Sequence, residues 1–147
     1  MIDKNLAAPC GIYCGMCRQY LALKKELLEE KGLKWGCEGC RIRHKNCAFI
    51  RRDCPSLRKN EIDFCYECED FPCQNLKKIE KIYKERYSVK LIENLKRIKE
   101  IGVNKWLQEQ KELYTCPECG GDICIHDMEC YDCGIKINPN KAKVIRK

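Results

Sequence analysis

Two cysteine pairs decide the fold of this chain, Cys116-Pro117-Glu118-Cys119-Gly120 and, ten residues later, Cys130-Tyr131-Asp132-Cys133-Gly134. The turn between two cysteines that are two residues apart points both sulfurs at one centre, about 2.3 Å from a zinc ion. The glycine after each pair permits the backbone conformation in which amide N–H groups bond to thiolate sulfur. Residues 122–129 are long enough for a short hairpin. We therefore predict a small zinc ribbon with four thiolate ligands, Cys116, Cys119, Cys130 and Cys133.

Cysteine is also unusually frequent, with 15 among 147 residues, and no other residue type departs so far from average composition. Disulfide bonds are the alternative use of so many thiols, and they form mainly in secreted proteins. Residues 1–5 carry charge and lack the apolar stretch of a signal peptide. No apolar run approaches the roughly eighteen residues of a membrane span. We therefore expect a cytoplasmic protein without a membrane partner, whose reduced thiols bind metal.

Two further metal-binding side chains, Cys124 and His126, lie between the C-terminal pairs. The imidazole of His126 could replace one thiolate, because histidine is a zinc ligand. Four cysteines already complete a tetrahedron, however. We therefore expect a structural or surface role for both residues.

The first 74 residues hold ten more cysteines. Consecutive cysteines can close one four-sulfur site, Cys37, Cys40, Cys47 and Cys54. Cysteines from the two ends of this region can then close a second site, Cys14, Cys17, Cys65 and Cys68. An interleaved arrangement, in which the pair 37/40 joins the pair 65/68, fits the spacing nearly as well. With the ribbon, these sites would hold about three zinc ions per chain.

Cys10 and Cys73 are left over from this grouping, as additional ligands or as reactive thiols. Cys10 also begins a C-x3-C-x2-C motif with Cys14 and Cys17, the spacing that radical-SAM enzymes use for a [4Fe–4S] cluster. The chain is too short for the barrel of those enzymes. An iron–sulfur cluster in the N-terminal module remains the alternative cofactor, because cysteine thiolates are its ligands.

The cysteine spacing divides the chain into a metal-binding module (1–74), a helical segment (75–114), the zinc ribbon (115–136) and a basic tail (137–147). In the module, we predict a helix over residues 18–31 that ends at Gly32. Apolar periodicity in the helical segment predicts three helices. Ser88 and Asn104 are the predicted N-caps of the second and third helices, and Gly102 separates them. The predicted apolar stripe of the first consists of Leu76, Ile79, Ile82 and Tyr83. The predicted fold is therefore small, α-rich and metal-stapled, with little β structure.

Three motifs of the N-terminal half resemble a known prokaryotic family. They are Ala8-Pro9-Cys10-Gly11-Ile12-Tyr13-Cys14-Gly15-Met16-Cys17, Gly36-Cys37-Glu38-Gly39-Cys40 and Phe64-Cys65-Tyr66-Glu67-Cys68-Glu69-Asp70-Phe71-Pro72-Cys73. In this order they resemble the domain of unknown function 3795 family, and the later helices and cysteines look like its longer members. The resemblance implies a cytoplasmic bacterial or archaeal protein that binds zinc. It implies no reaction, because the family is uncharacterised.

The formal charge of +7 suggests a nucleic-acid partner, but three tetrathiolate zinc sites would lower it to about +1. Residues 41–59 nevertheless contain seven basic residues and a single acid, Asp53. The basic residues are Arg41, Arg43, Lys45, Arg51, Arg52, Arg58 and Lys59. They could bind an anion or nucleic acid, or compensate the charge of the thiolates.

Catalysis has little support, because the chain has neither a Gly-rich phosphate loop nor an H-E-x-x-H motif. The predicted function is structural metal binding that supports a surface for a protein or nucleic-acid partner. The alternatives are an iron–sulfur or thiol redox protein and an RNA- or DNA-binding adaptor. The sequence names neither the partner nor the oligomeric state.

Overall fold

The computed structural model of the protein describes residues 4–38, 54, 56, 59 and 61–140. In this part of the chain the α-helices are α1 (Arg18–Lys24), α2 (Gln74–Tyr87), α3 (Leu91–Ile101) and α4 (Val103–Leu113). Three short 3-10 turns accompany them, Lys4–Leu6, Cys14–Met16 and Cys65–Glu67. Two antiparallel strands, β1 (Ile123–Cys124) and β2 (Glu129–Cys130), form a hairpin. The predicted fold class, α-rich with little strand and a C-terminal cysteine cluster, is confirmed.

Helix α1 begins where the sequence predicts but is only seven residues long. The chain leaves the helix because Glu26 adopts a left-handed conformation with a φ of 57°. The N–H of Leu27 then bonds to the carbonyl of Ala22 at 2.7 Å, as in helix ends that usually carry glycine. Gly32, with a φ of 69°, ends a separate turn that follows. The prediction of one continuous helix over residues 18–31 is therefore wrong.

The three helices predicted in the middle of the chain are present as α2, α3 and α4. Leu76 and Ile79 are buried as predicted, but Ile82 is 49% exposed. The packed face of α2 continues instead through Tyr83 and Tyr87, at a spacing of four residues. The predicted stripe is therefore correct in period but wrong at Ile82.

The caps of these helices differ from those predicted. Ser88 ends α2 in a left-handed conformation with a φ of 61°, and Lys90 precedes α3. Gly102 separates α3 from α4 as predicted and is itself the residue before α4. Asn104 therefore lies inside the first turn of α4. A side-chain cap is absent from the starts of α2, α3 and α4.

One hydrophobic core joins the N-terminal module, the helices and the C-terminal hairpin. Trp106 of α4 is fully buried and meets the ring of Tyr13 edge-on, with 6.4 Å between ring centroids. Tyr13 also stacks on Tyr114 at 5.9 Å, and Ile125 of the hairpin belongs to the same core. The segments predicted from cysteine spacing are therefore packed on one another in the described part of the chain.

The first residues of the predicted basic tail are held by this packed structure. The N–H of Ile137 donates to the carbonyl of Met128 at 2.8 Å. The side-chain amide of Asn140 donates to the hydroxyl of Tyr114 at 3.1 Å. Residues 141–147, which carry all four basic side chains of the tail, lie outside the described residues. Among the described helices, none is long and apolar enough to cross a membrane.

Candidate metal centre

The four cysteines of the two C-terminal pairs meet at one point. Their sulfur atoms all lie within 4.8 Å of one another. The Sγ atoms of Cys116 and Cys133 are 3.7 Å apart, and those of Cys119 and Cys130 are 3.5 Å apart. Sulfurs that bind a tetrahedral zinc at about 2.3 Å are separated by about 3.8 Å, so the observed distances fit a single ion.

The backbone forms two nearly equivalent turns around these sulfurs. In the first, the N–H of Gly120 bonds to the carbonyl of Cys116 at 2.9 Å, and in the second, Gly134 bonds to Cys130 at 2.9 Å. Both glycines have positive φ, 76° and 82°, a conformation that side chains with a Cβ rarely adopt. The C-x2-C-G spacing therefore produces the glycine conformation that the sequence predicts for both turns.

Backbone amides also point at the sulfurs. The N–H groups of Glu118 and Gly121 donate to the sulfurs of Cys116 and Cys119 at 3.4 and 3.3 Å. Two more amides donate to the sulfur of Cys130 at 3.3 and 3.4 Å, those of Asp132 and Cys133. Donors of this kind stabilise thiolate rather than thiol. They would share the negative charge that four thiolates bring to a divalent ion.

The ionisation of Cys116 reflects these contacts. Burial raises the pKa of its thiol, but the N–H groups of Cys119 and Glu118 and the neighbouring thiols of Cys133 and Cys130 lower it to about 7. The hydrogen bond from the Gly121 N–H lowers the pKa of Cys119, but desolvation and the three neighbouring thiols outweigh it and raise this pKa to about 12. The contacts within the group therefore lower the pKa of one thiol and raise that of another.

Three cations of the N-terminal module hold the hairpin that carries these ligands. Lys25 contacts the carboxylates of Asp122 and Asp132, both at 2.9 Å. The remaining two ion pairs are Arg18 with Asp127 at 2.6 Å and Lys31 with Glu129 at 3.0 Å. This contact was not among the predictions. The sequence does carry a signal for it, because four acids lie within residues 122–132 and four basic residues lie within residues 18–31, three of which form these ion pairs.

Cys124 and His126 do not join the four-sulfur group. Cys124 is fully buried, and burial raises the pKa of its thiol. The Nδ1 atom of His126 accepts a hydrogen bond from the backbone N–H of Arg18 at 3.2 Å, and its Nε2 atom lies 3.3 Å from the Tyr83 hydroxyl. Burial, and then the charge of Arg18, lower the pKa of His126 to about 4. The imidazole is thus neutral and packed between the module and α2.

The N-terminal cysteines are placed in two neighbourhoods. Cys37 lies beside the start of α1, where its N–H bonds to the carbonyl of Gln19 at 3.3 Å. Burial raises the pKa of Cys65, and the nearby thiols raise it further, in decreasing order Cys10, Cys73, Cys54 and Cys68. No three described cysteines of this half have sulfurs within 4.8 Å of one another. Cys40 and Cys47 lie outside the described residues. The two predicted sites that contain Cys14, Cys17, Cys37 and their partners therefore stay predictions.

Disulfide bonds are absent among the thirteen described cysteines. Of the seven candidate anion-binding residues, Lys59 is described and is exposed. The other six lie outside the described residues, namely Arg41, Arg43, Lys45, Arg51, Arg52 and Arg58.

A groove of about 650 Å³ lies beside the first cysteine turn. Its apolar lining comes from α4, the hairpin and the chain after it, with Leu113, Pro117, Ile123, Ile137 and Pro139. Its charged lining is Arg97, Glu109 and Glu112. Arg97 is bound to Glu109 at 2.7 Å and to Glu100 at 2.6 Å, so its charge is already compensated.

Comparison with known proteins gives one result. Residues 6–78 match a family model described as Protein of unknown function (DUF3795). Neither a curated protein nor a solved structure matches the chain. The matched residues contain the N-terminal cysteine motifs and end before the four-sulfur cluster.

Proposed function

The chain belongs to the DUF3795 family of proteins of unknown function, and from this premise we propose that it is a structural zinc-binding protein whose fold presents an interaction surface. The observation that carries the proposal is the C-terminal group of four cysteine sulfurs within 4.8 Å. Four thiolates complete a tetrahedral zinc site and leave no position for a substrate, so such an ion stabilises a fold rather than catalysing a reaction.

The ion would add to the stability of the hairpin, which the shared core and the ion pairs with the N-terminal module also hold. The strands of the hairpin have two residues each, and an isolated two-stranded hairpin is at best marginally stable in water. Metal binding supplies folding free energy in small domains of this kind. The hairpin in turn places Ile123 and Ile125 in the shared core, so the metal would also support the packing of α4 and the N-terminal module.

The groove beside Pro117 supports a protein rather than a nucleic-acid partner for the described surface. Half of its lining residues are apolar, and its single cation is compensated by two glutamates. Nucleic-acid sites instead carry uncompensated Lys and Arg that contact phosphates. The metal would fix the shape of this groove, because Pro117 lies within the first cysteine turn.

Cobalt substitution tests the metal site. Co²⁺ added to metal-free protein should give the absorption of a tetrahedral tetrathiolate ion, and zinc should displace it. Cys133→Ser should lose the intensity of one tetrathiolate ion per chain, whereas Cys124→Ser, which changes a buried thiol outside the group, should keep the full intensity. An undiminished tetrathiolate spectrum in Cys133→Ser would refute the assignment.

A separate measurement tests the surface. Binding of random-sequence RNA and DNA should be weak at physiological salt and unchanged by Glu109→Lys at the rim of the groove. Tight binding with a steep salt dependence would instead favour the nucleic-acid adaptor.

A further inference from the structure

We propose that the C-terminal four-sulfur cluster is a site of reversible oxidation, at which hydrogen peroxide converts the four thiolates into two disulfides. One disulfide would join Cys116 to Cys133 and the other would join Cys119 to Cys130, so that each bond crosses between the two cysteine turns. The inference rests on the proposed function, because it assigns a regulation to the proposed zinc site. The oxidised form would hold no zinc at this cluster.

One sulfur of each turn is open to a small oxidant. Cys119 and Cys133 are exposed, whereas Cys116 and Cys130 are buried. The glycine after each exposed cysteine is open as well, since a Cβ atom built there would have no described atom within 4 Å beyond its chain neighbours. Thiolate character and exposure decide which cysteines are oxidised. Hydrogen peroxide therefore attacks the two outer sulfurs first.

Each exposed sulfur contacts a buried sulfur of the other turn. The Sγ atoms of Cys133 and Cys116 are 3.7 Å apart, and those of Cys119 and Cys130 are 3.5 Å apart. The S–S distance of a disulfide is about 2.05 Å, so each pair has to close by roughly 1.5 Å. These contacts place a second thiolate beside each sulfur that the oxidant reaches. Because both contacts cross between the turns, the geometry favours cross-turn disulfides over bonds within a C-x2-C turn.

One molecule of hydrogen peroxide oxidises one pair of thiolates. The exposed thiolate attacks a peroxide oxygen, the O–O bond breaks, and the cysteine becomes a sulfenic acid as hydroxide leaves. The neighbouring thiolate then attacks the sulfenic sulfur, the S–S bond forms, and a second hydroxide leaves. The two sulfurs lose two electrons in total, which the peroxide gains. Two peroxide molecules thus remove all four thiolates, the form of cysteine that binds metal.

The hairpin also has supports that do not depend on zinc. Lys25 contacts the carboxylate of Asp132 at 2.9 Å, and Arg18 contacts that of Asp127 at 2.6 Å. Ile125 is fully buried in the shared core. Each cross-turn disulfide would join the same two turns that a zinc ion joins. We therefore expect the oxidised protein to stay folded, so that a thiol reductant and zinc restore the four-thiolate site.

The test treats the purified full-length protein with hydrogen peroxide, blocks the remaining thiols with iodoacetamide and maps the disulfides by mass spectrometry. Glu118 lies between the two cysteines of the first turn, and Asp132 lies between those of the second. Proteolysis at glutamate and aspartate therefore separates all four cysteines. We expect linked peptides that join Cys116 to Cys133 and Cys119 to Cys130, with loss of one zinc ion per chain. Dithiothreitol with added zinc should reverse both changes.

Two cysteine variants sharpen the pairing. Cys133→Ser should still form the bond between Cys119 and Cys130 and leave Cys116 as a free thiol. Cys124→Ser should behave as the wild type, because Cys124 is fully buried and outside the group. In the wild type, the buried Cys124 should stay reduced and serves as an internal control. Disulfides within either turn, a disulfide through Cys124, or cluster thiols that are oxidised no faster than Cys124 would each overturn the inference.

Failure of this inference and failure of the proposed function are separable. The cobalt spectrum of the reduced protein reports the metal site, whereas the disulfide map reports the pairing of the sulfurs with or without metal. A cluster that binds cobalt but forms no cross-turn disulfides refutes the oxidation site alone. A cluster that binds no metal refutes the proposed function, and with it the regulation of zinc by peroxide.

Discussion

The buried imidazole of His126 should make the protein less stable as the pH falls below neutral. Its Nδ1 atom accepts a hydrogen bond from the backbone N–H of Arg18. Protonation of Nδ1 would therefore bring two N–H donors together without an acceptor between them. Burial and the Arg18 charge lower its pKa from 6.5 to about 4 in the folded protein. The unfolded chain therefore binds the proton more readily between these values, and stability must rise with pH there.

The size of the effect follows from this difference. At 1.36 kcal/mol per pH unit, the shift from the ordinary pKa to about 4 corresponds to about 3 kcal/mol of folding free energy. This stability is present above pH 6.5 and is lost as the pH falls toward 4, where the loss reaches its limit. Asp127, whose pKa is lowered by its hydrogen bonds from Tyr131 and Arg18 despite burial, adds a further loss at lower pH.

Urea unfolding followed by circular dichroism at pH 7.5, 6 and 5 measures this loss. His126→Gln is the matched variant, because glutamine can accept the Arg18 N–H but does not titrate. Metal release at low pH affects both proteins, and the difference between their pH profiles isolates the imidazole. The wild-type free energy of unfolding should fall more than that of the variant, and the difference should reach about 2 kcal/mol at pH 5, which is 1.5 pH units below the ordinary pKa. Parallel profiles would refute the reasoning.

Three further perturbations test the packing. Gly11→Ala and Gly102→Ala both replace glycine at a φ of 91°, but only the Gly11 Cβ would meet a carbonyl. Gly11→Ala should therefore be the more destabilising in urea titrations, by about 1 kcal/mol or more; equal losses would contradict the close approach to α3. Leu95→Ala, at a fully buried position, should lower the free energy of unfolding by about 2–5 kcal/mol, whereas Ile82→Ala should cost far less because Ile82 is half exposed; similar values would contradict the face assigned to α2. A double-mutant cycle on Arg18 and Asp127 should give a coupling of about 0.5–1 kcal/mol, because the pair is part-exposed; zero coupling would remove the ion pair from the hairpin's support.

Structural features that depend only on residues close together in the sequence could be predicted. The periodic apolar residues of α2, α3 and α4 lie close along the chain, and so the three helices could be predicted. The C-terminal cysteine turns are equally local, because the glycines after each pair fix the geometry of the sulfurs. The four C-terminal sulfurs that the sequence groups together therefore also lie together in the structure.

Predictions failed where distant contacts decide the outcome. Glu26 takes a left-handed conformation that its residue type does not favour, and so nothing in the sequence marks the end of α1. The spacing pattern could not separate Ile82 from Tyr83, because which residue faces the core depends on what packs against α2. Ten thiols in the N-terminal half allow many groupings, and the contacts that position them, such as the bond from the Cys65 N–H to the Pro9 carbonyl, join segments far apart in sequence.

The most direct test of the central claim is the metal content of the purified protein, measured with its stability. We predict that Cys133→Ser contains one zinc ion fewer per chain than the wild type and unfolds at a lower urea concentration, whereas Cys124→Ser keeps its zinc. Equal zinc contents in the wild type and Cys133→Ser would contradict the account, as would iron in place of zinc at this cluster.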